Sequence, residues 1–248
     1  MSLSSRVKAG LRKWTISMAG ADLEARLEAT RPPGEFGVDP FGYDPDYALS
    51  AVAPLVWLYK HYFRVECHGL AKVPPGRVFL IPNHSGQLPF DGAMIGIAML
   101  IEALPPRGVR TMVEKWVATL PYVSTTYSRV GSIVGTPDNC RRLLLLDQAV
   151  LAFPEGMKAI TKPYAERYQL QPFGLGFMRL ALETGTPIVP VGVVGAEEQA
   201  PAVVDLKGVA RVLGLPSLPV TPWGVPLPLP VKYHLHFGDP LSFQGSPD

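Results

Sequence analysis

Apolar and polar positions follow two rhythms along this chain, and their order predicts the architecture. Over residues 3–29 the apolar positions recur at three- and four-residue steps. Leu3, Val7, Leu11, Trp14 and Met18 therefore share one face of an amphipathic helix. Residues 31–46, RPPGEFGVDPFGYDPD, are dense in Pro, Gly and Asp and read as a loop. Helical spacing resumes over 47–62, with Val52, Leu55, Val56 and Tyr59 on one face and Asp46 placed to cap the first turn. FRVECHGL alternates like a strand, and GRVFLIP is a short, continuously apolar strand. Residues 90–103, FDGAMIGIAMLIEA, are apolar nearly all round, which predicts a buried helix too short to span a bilayer.

Strand and helix signals alternate from there. VRTMVEKW reads as a strand entering a helix, GSIVGT as a short strand and turn, and NCRRLLLLDQ as a helix. AVLAFPEG is a strand ending in a turn, GLGFMRLALETG a helix closed by Gly185, and TPIVPVGVVGAEE a central strand. This order predicts an α/β fold, a twisted and largely parallel sheet flanked by helices. Residues 1–63 are expected to form an N-terminal helical segment (amphipathic helix, loop, helix) and residues 64–248 the α/β domain. Residues 212–231 are apolar but broken by prolines, which excludes a regular helix or a central strand. Such a stretch covers an apolar cavity or touches lipid. KYHLHFGDPLSF is predicted to close the sheet as an edge strand.

Composition narrows the picture. The 248 residues suffice for one large domain. Apolar residues make up 47% and charged residues only 18%, yet no run of ~18 uncharged apolar residues predicts a spanning helix. The opening residues are basic but lack the apolar core of a signal peptide. Arg6, Lys8, Arg12 and Lys13 turn the first helix into a basic amphipathic one, suited to an anionic bilayer surface or to packing on its own domain or a partner. A net charge of +2 is too small to point to nucleic acid. Cys67 and Cys140 suit a reducing compartment, and no spacing suggests a metal site.

Active sites of open α/β sheets lie at the carboxyl ends of the strands. Three polar turns follow predicted strands and are expected to converge: Asn83-His84-Ser85-Gly86, Gly135-Thr136-Pro137-Asp138-Asn139 and Glu155-Gly156-Met157-Lys158. His84 is the best general base, because imidazole exchanges protons near neutrality. A neutral histidine needs its tautomer held by a partner, and Asp91, in the first turn of the helix that Pro89 opens, is the nearest carboxylate. Ser85 is a poor nucleophile candidate, since NHSGQ is not the elbow of hydrolases; the N–H groups around Ser85 and Gly86 suit an anion or oxyanion instead. Glu155 is a turn residue or a site carboxylate, Arg141 and Arg142 are exposed helix arginines by default or one of them reaches a phosphate, and Lys115 is ambiguous. His61, His68, His234 and His236 have no carboxylate motif nearby and read as structural.

Taken together, these stretches resemble the glycerolipid acyltransferase superfamily, the PlsC-like enzymes. NHSGQLPFD resembles its His–Asp block, GSIVGTPDN its second, FPEG its third and TPIVPVGVVG its fourth, in order over roughly residues 64–240. HSGQLPFDG, VVGAEE and the proline-rich tail resemble the monoacylglycerol/diacylglycerol acyltransferase-like branch. The resemblance implies transfer of an acyl group from acyl-CoA or acyl-ACP to a lipid hydroxyl, without an acyl-enzyme and without a cofactor. It implies that His84 is the base and Asp91 its partner, that Glu155 and Gly156 help hold the acceptor, and that Lys115 lies near the site. Asn83, Ser85, Gly86, Thr136, Asn139 and Arg141 complete the expected substrate contacts. It also favours peripheral or monotopic attachment at the cytoplasmic face of a membrane.

Two features depart from the family pattern. Six residues, not four, separate His84 from Asp91. The second block carries Asp138 where an arginine usually binds the acceptor phosphate, which points to a neutral glycerolipid or other lipid alcohol. A lysophospholipid acceptor, a thioesterase and a non-catalytic lipid-binding protein are the competing readings.

Overall fold

A computed structural model describes residues 10, 14–15, 17–32, 39–201, 204–212, 219–224 and 227–246. The helices are α1 (Leu23–Ala29), α2 (Pro45–Trp57), α3 (Phe90–Ile101), α4 (Val123–Arg129), α5 (Pro137–Leu145), α6 (Met157–Thr161), α7 (Gly176–Thr184) and α8 (Lys207–Val212). The strands are β1 (Glu66–His68), β2 (Val78–Pro82), β3 (Val109–Val113), β4 (Ile133–Val134), β5 (Ala149–Leu151), β6 (Ile188–Val194), β7 (Val204–Asp205), β8 (Pro219–Val220) and β9 (His234–Phe237).

Seven strands form one sheet in the order β1-β9-β6-β2-β5-β3-β4. The five from β6 to β4 run parallel, while β9 lies antiparallel to β6 and parallel to β1. The final strand is therefore not the edge strand that the sequence predicts: β1 pairs outside it, with Glu66 opposite His234 and His68 opposite His236. β7, just before the proline-broken segment, and β8, within it, make a separate antiparallel pair.

Period-two alternation divides the core into two layers. Val78 and Leu80 of β2 join a cluster with Leu23, Val56, Met94 and Leu235, beneath α1, α2 and α3. Phe79 and Ile81 face the other way, with Leu143, Leu144 and Leu180 of α5 and α7. β2 is accordingly buried at all five positions, as expected for a central strand covered on both faces. α3 is buried around most of its circumference, matching its composition. Helix α7 ends on Gly185 in the left-handed conformation, as its sequence predicts.

The amino-terminal region departs from the predicted continuous helix. Gly20, at φ +106°, interrupts it, and α1 begins at Leu23. Most of the expected basic amphipathic face, including Leu3, Val7, Leu11 and the four cations, lies outside the described residues; Trp14 is exposed and Met18 half-buried. α1 and α2 belong to the same core as the sheet. The cap of α2 is Asp44, not Asp46: Asp44 Oδ1 accepts from Tyr47 N at 3.1 Å, and Pro45 takes the first helical position. The loop before α2 is anchored by a buried ion pair, Arg110 Nη2 to Asp39 Oδ2 at 2.6 Å, and the same carboxylate accepts from Phe41 N and Tyr43 N.

Candidate active site

Because β6, β2, β5, β3 and β4 are parallel, the turns that follow them emerge along one edge of the sheet. Neighbouring strands bring neighbouring turns into contact. The turn after β2 holds His84, the turn after β5 holds Glu155, and the turn after β6 holds Gln199.

His84 Nδ1 lies 2.6 Å from Asp91 Oδ2. The six intervening residues do not prevent the pair; they loop out and return into the first turn of α3. Asp91 is fully buried, and three groups face it: His84 Nδ1, Ser85 N at 3.0 Å and Gly92 N at 2.7 Å. The positive end of α3 favours its charge. A carboxylate only accepts, so His84 carries its proton on Nδ1 and keeps Nε2 as the basic nitrogen. The His84 ring stacks on Phe153, with centroids 3.9 Å apart and planes at 23°. The side chain is 12% exposed, enough to admit one reacting group.

Glu155 is a buried brace. Its Oε1 accepts the His84 backbone N–H at 2.8 Å and its Oε2 accepts Gln171 N at 2.6 Å. It ties the His84 turn to the long loop between α6 and α7. That loop is further held by Gly174 N on Pro154 O, at 2.9 Å, and by a buried Lys162–Glu197 ion pair at 2.6 Å. Gly156 follows at φ +60° and caps α6.

The other expected contacts sort by location. Asn83 continues the β2–β6 ladder with its side chain: Nδ2 donates to Val193 O at 3.0 Å and Oδ1 accepts Val193 N at 2.7 Å. The N–H of Ser85, expected to face an anion, is instead committed to Asp91. The Ser85 hydroxyl is buried without a partner, as are both polar ends of the Gln87 amide. Gly86 has φ +79°, and a Cβ there would fall 2.3 Å from Gln199 Nε2 and 2.6 Å from Ala196 O. Glycine alone allows that approach. Lys115 is exposed in the turn after β3.

The turn after β4 stands further along the same edge. Three strand steps, about 14 Å at ~4.8 Å each, separate β4 from β2. Thr136 caps α5 by accepting Asn139 N at 3.2 Å, and Asn139 Nδ2 donates to Val134 O at 3.0 Å. Arg141 is held at the surface by Glu183, at 2.6 and 3.0 Å, and by Asp138 at 2.7 Å. Arg142 lies over the Phe41 ring. Beside this turn is a cavity of about 240 Å³, lined by Val113, Val117, Tyr127, Ile133, Val134 and Asn139 among others.

Three further residues of the site were not among those predicted from sequence, though Phe153 opens the FPEG block. Phe153 is level with Pro82, because Leu80 pairs with Leu151, and so reaches the His84 ring. Gln199 Nε2 donates to Leu88 O at 3.0 Å, and Tyr233 donates its hydroxyl to Gln199 Oε1 at 2.6 Å. Both are fully buried and sit behind the His84–Asp91 loop.

The arrangement suits removal of a proton from an incoming hydroxyl: a neutral imidazole, its tautomer held by a buried carboxylate, at the mouth of a sheet edge. The acyltransferase family model matches residues 64–194, which span the His84, 135–139 and Glu155 turns. Uncharacterized proteins of Mycobacterium bovis and Mycobacterium tuberculosis are each 38% identical over 221 residues, 85% of this chain and 62% of theirs. The chain thus spans about three fifths of the length of those relatives. In fold it is similar to the crystal structure of the 1-acyl-sn-glycerophosphate acyltransferase PlsC from Thermotoga maritima, with a TM-score of 0.53, 16% identity, and coverage of 92% of this chain and 80% of that one. On the family match and the relatives together, the chain belongs to the acyltransferase family.

Proposed function

We propose that the protein transfers a fatty acyl group from an acyl thioester, acyl-CoA or acyl-ACP, to the hydroxyl of a lipid acceptor. The observation that carries this reading is the His84 Nδ1–Asp91 Oδ2 contact of 2.6 Å, with Asp91 fully buried. His84 Nε2 takes the acceptor proton as the acceptor oxygen attacks the thioester carbonyl. The resulting imidazolium, stabilised by Asp91, returns the proton to the departing thiolate as the carbonyl re-forms. The transfer is direct: the Ser85 hydroxyl precedes Asp91 in no relay, and both cysteine thiols resist ionisation, pushed up to about 12 by burial. Glu155 and Phe153 hold the base in place.

The acceptor best supported is a neutral glycerolipid or other lipid alcohol. The cation of the second block, Arg141, faces two carboxylates, which leaves little attraction for a phosphate dianion. The apolar cavity between β3, β4 and α4 fits hydrocarbon better than a charged head group. One observation favours a phosphate-bearing acceptor instead: Arg167 lines a small groove with Gly86 and Gln87, beside the His84 loop.

Peripheral attachment to a membrane completes the reading. No helix among the described residues is long and apolar enough to cross a bilayer. Val204, Leu206, Val209, Trp223, Leu227 and Leu229 are all exposed along one stretch of chain, which supports contact with lipid.

A labelled acyl-CoA assay with a panel of acceptors tests the proposal. Acylated monoacylglycerol or diacylglycerol as the main product is the expected result. Strong preference for lysophosphatidate would shift the acceptor to the phosphate-bearing class. Release of free fatty acid with no acylated acceptor would overturn the transfer reading.

A further inference from the structure

Strand pairing brings His68 beside His234 and His236, more than 160 residues further along the chain. His68 lies on β1, and His234 and His236 lie two apart on β9, so all three project from one face of the sheet. Leu235 and Phe237 point the other way into the core. A ring nitrogen from each histidine lies within 4.8 Å of the other two. The His68 and His236 rings stack with centroids 4.7 Å apart, and the His234 and His236 rings lie 6.4 Å apart, also nearly parallel. Glu66, opposite His234 in register, places Oε2 3.3 Å from His234 Nδ1 and also pairs with Lys232.

We propose that His68, His234 and His236 form a binding site for one divalent transition-metal ion of the zinc class, with Glu66 orienting His234. The ligand chemistry fits: three imidazoles are borderline-soft nitrogen donors, the set that zinc and its first-row neighbours prefer over calcium or magnesium. Zinc–nitrogen bonds of ~2.0–2.1 Å in a tetrahedral set put the nitrogens ~3.3 Å apart, so the rings must close by up to about 1.5 Å. His68 and His236 are exposed and His234 half-buried, so side-chain rotation alone can supply this.

Glu66 acts as the outer partner. A carboxylate on Nδ1–H fixes the tautomer and leaves Nε2 of His234 for the metal, the arrangement common behind zinc-bound histidines. Because Lys232 already shares that carboxylate, Glu66 serves as an acceptor rather than a fourth ligand. Water would fill the remaining positions. The site lies on β9 and β1, two and three strand steps from β2, and is separate from the His84 chemistry. A bound ion would clip the three-residue edge strand β1 to β9.

The test uses the full chain without a histidine tag, stripped with chelator and titrated with zinc chloride by calorimetry. Metal content and cobalt absorption are measured in parallel. One zinc per chain, a raised melting temperature and a four-coordinate cobalt spectrum are expected. His68→Gln and His236→Ala, both at exposed positions, should each weaken binding at least tenfold while circular dichroism stays unchanged. Glu66→Gln should weaken it by roughly 10- to 100-fold, as for other outer-shell partners. No saturable binding, half a zinc per chain, or equal binding in wild type and both histidine variants would overturn the site.

Discussion

Tyr233 donates its hydroxyl to Gln199 Oε1 at 2.6 Å, and Gln199 in turn donates to Leu88 O at 3.0 Å, inside the loop that carries His84 to Asp91. This chain of buried hydrogen bonds supports the longer connection between base and carboxylate. A four-residue gap would leave little loop to brace. The extra length needs a fixed partner, and the turn after β6 supplies one. Tyr233→Phe leaves Gln199 Oε1 unpaired and should lower stability by about 1–3 kcal/mol. Gly86→Ala should cost at least as much, since its Cβ would fall 2.3 Å from Gln199 Nε2 at a φ that favours glycine. Urea midpoints measure both, and each variant should lose more turnover than substrate affinity.

Glu155 presents two oxygens to two backbone N–H groups. In Glu155→Gln one of those donors must face an amide NH₂. The expected penalty is about 1–3 kcal/mol in stability, with a fall in turnover because the His84 backbone loses its anchor. Retained turnover and stability in this variant would remove Glu155 from the support of the site.

The Asp39–Arg110 pair should behave as a buried ion pair does. Both side chains are 4% exposed. Asp39→Ala strands the Arg110 charge and should destabilise by about 3–5 kcal/mol. Asp39→Ala combined with Arg110→Met should recover much of that loss. Chemical denaturation of the two variants checks the difference.

Alkaline pH should weaken the fold through its thiols. Burial pushes Cys67 and Cys140 from 9.0 up to about 12. In the unfolded chain they ionise above pH 9, while in the fold they stay protonated. Their contribution is therefore complete below pH 9 and is lost as pH rises toward 12, at up to ~1.4 kcal/mol per pH unit for Cys140 and less for the half-buried Cys67. Burial raises the buried Tyr233 phenol in the same direction. Urea midpoints measured from pH 8 to 11 should fall, and Cys140→Ala should flatten the slope.

The sheet and the His84 turn were legible from local pattern: β2 reads as five consecutive buried positions, and α3 is apolar on nearly every side. Strand order was not legible, and the errors follow from it. His234 and His236 give β9 the alternation of an edge strand, but β1 covers its outer side. GTPDN sits beside the His84 block in the family pattern, while in the sheet β5 and β3 stand between β4 and β2. Gln199 and Tyr233 lie more than a hundred residues from His84 and meet the loop only through folding, so no spacing rule reaches them. The same pairing that hid the position of β9 assembled the three-histidine cluster.

The central claim is that His84, held by Asp91, removes the acceptor proton in a direct transfer. The rate of acyl-acceptor formation from labelled acyl-CoA, in folded wild type, His84→Ala and Asp91→Asn, tests it most directly. A loss of about 10²–10⁴-fold in turnover for His84→Ala, and a comparable loss for Asp91→Asn with little change in KM, is predicted. Turnover by His84→Ala within a few fold of wild type would contradict it.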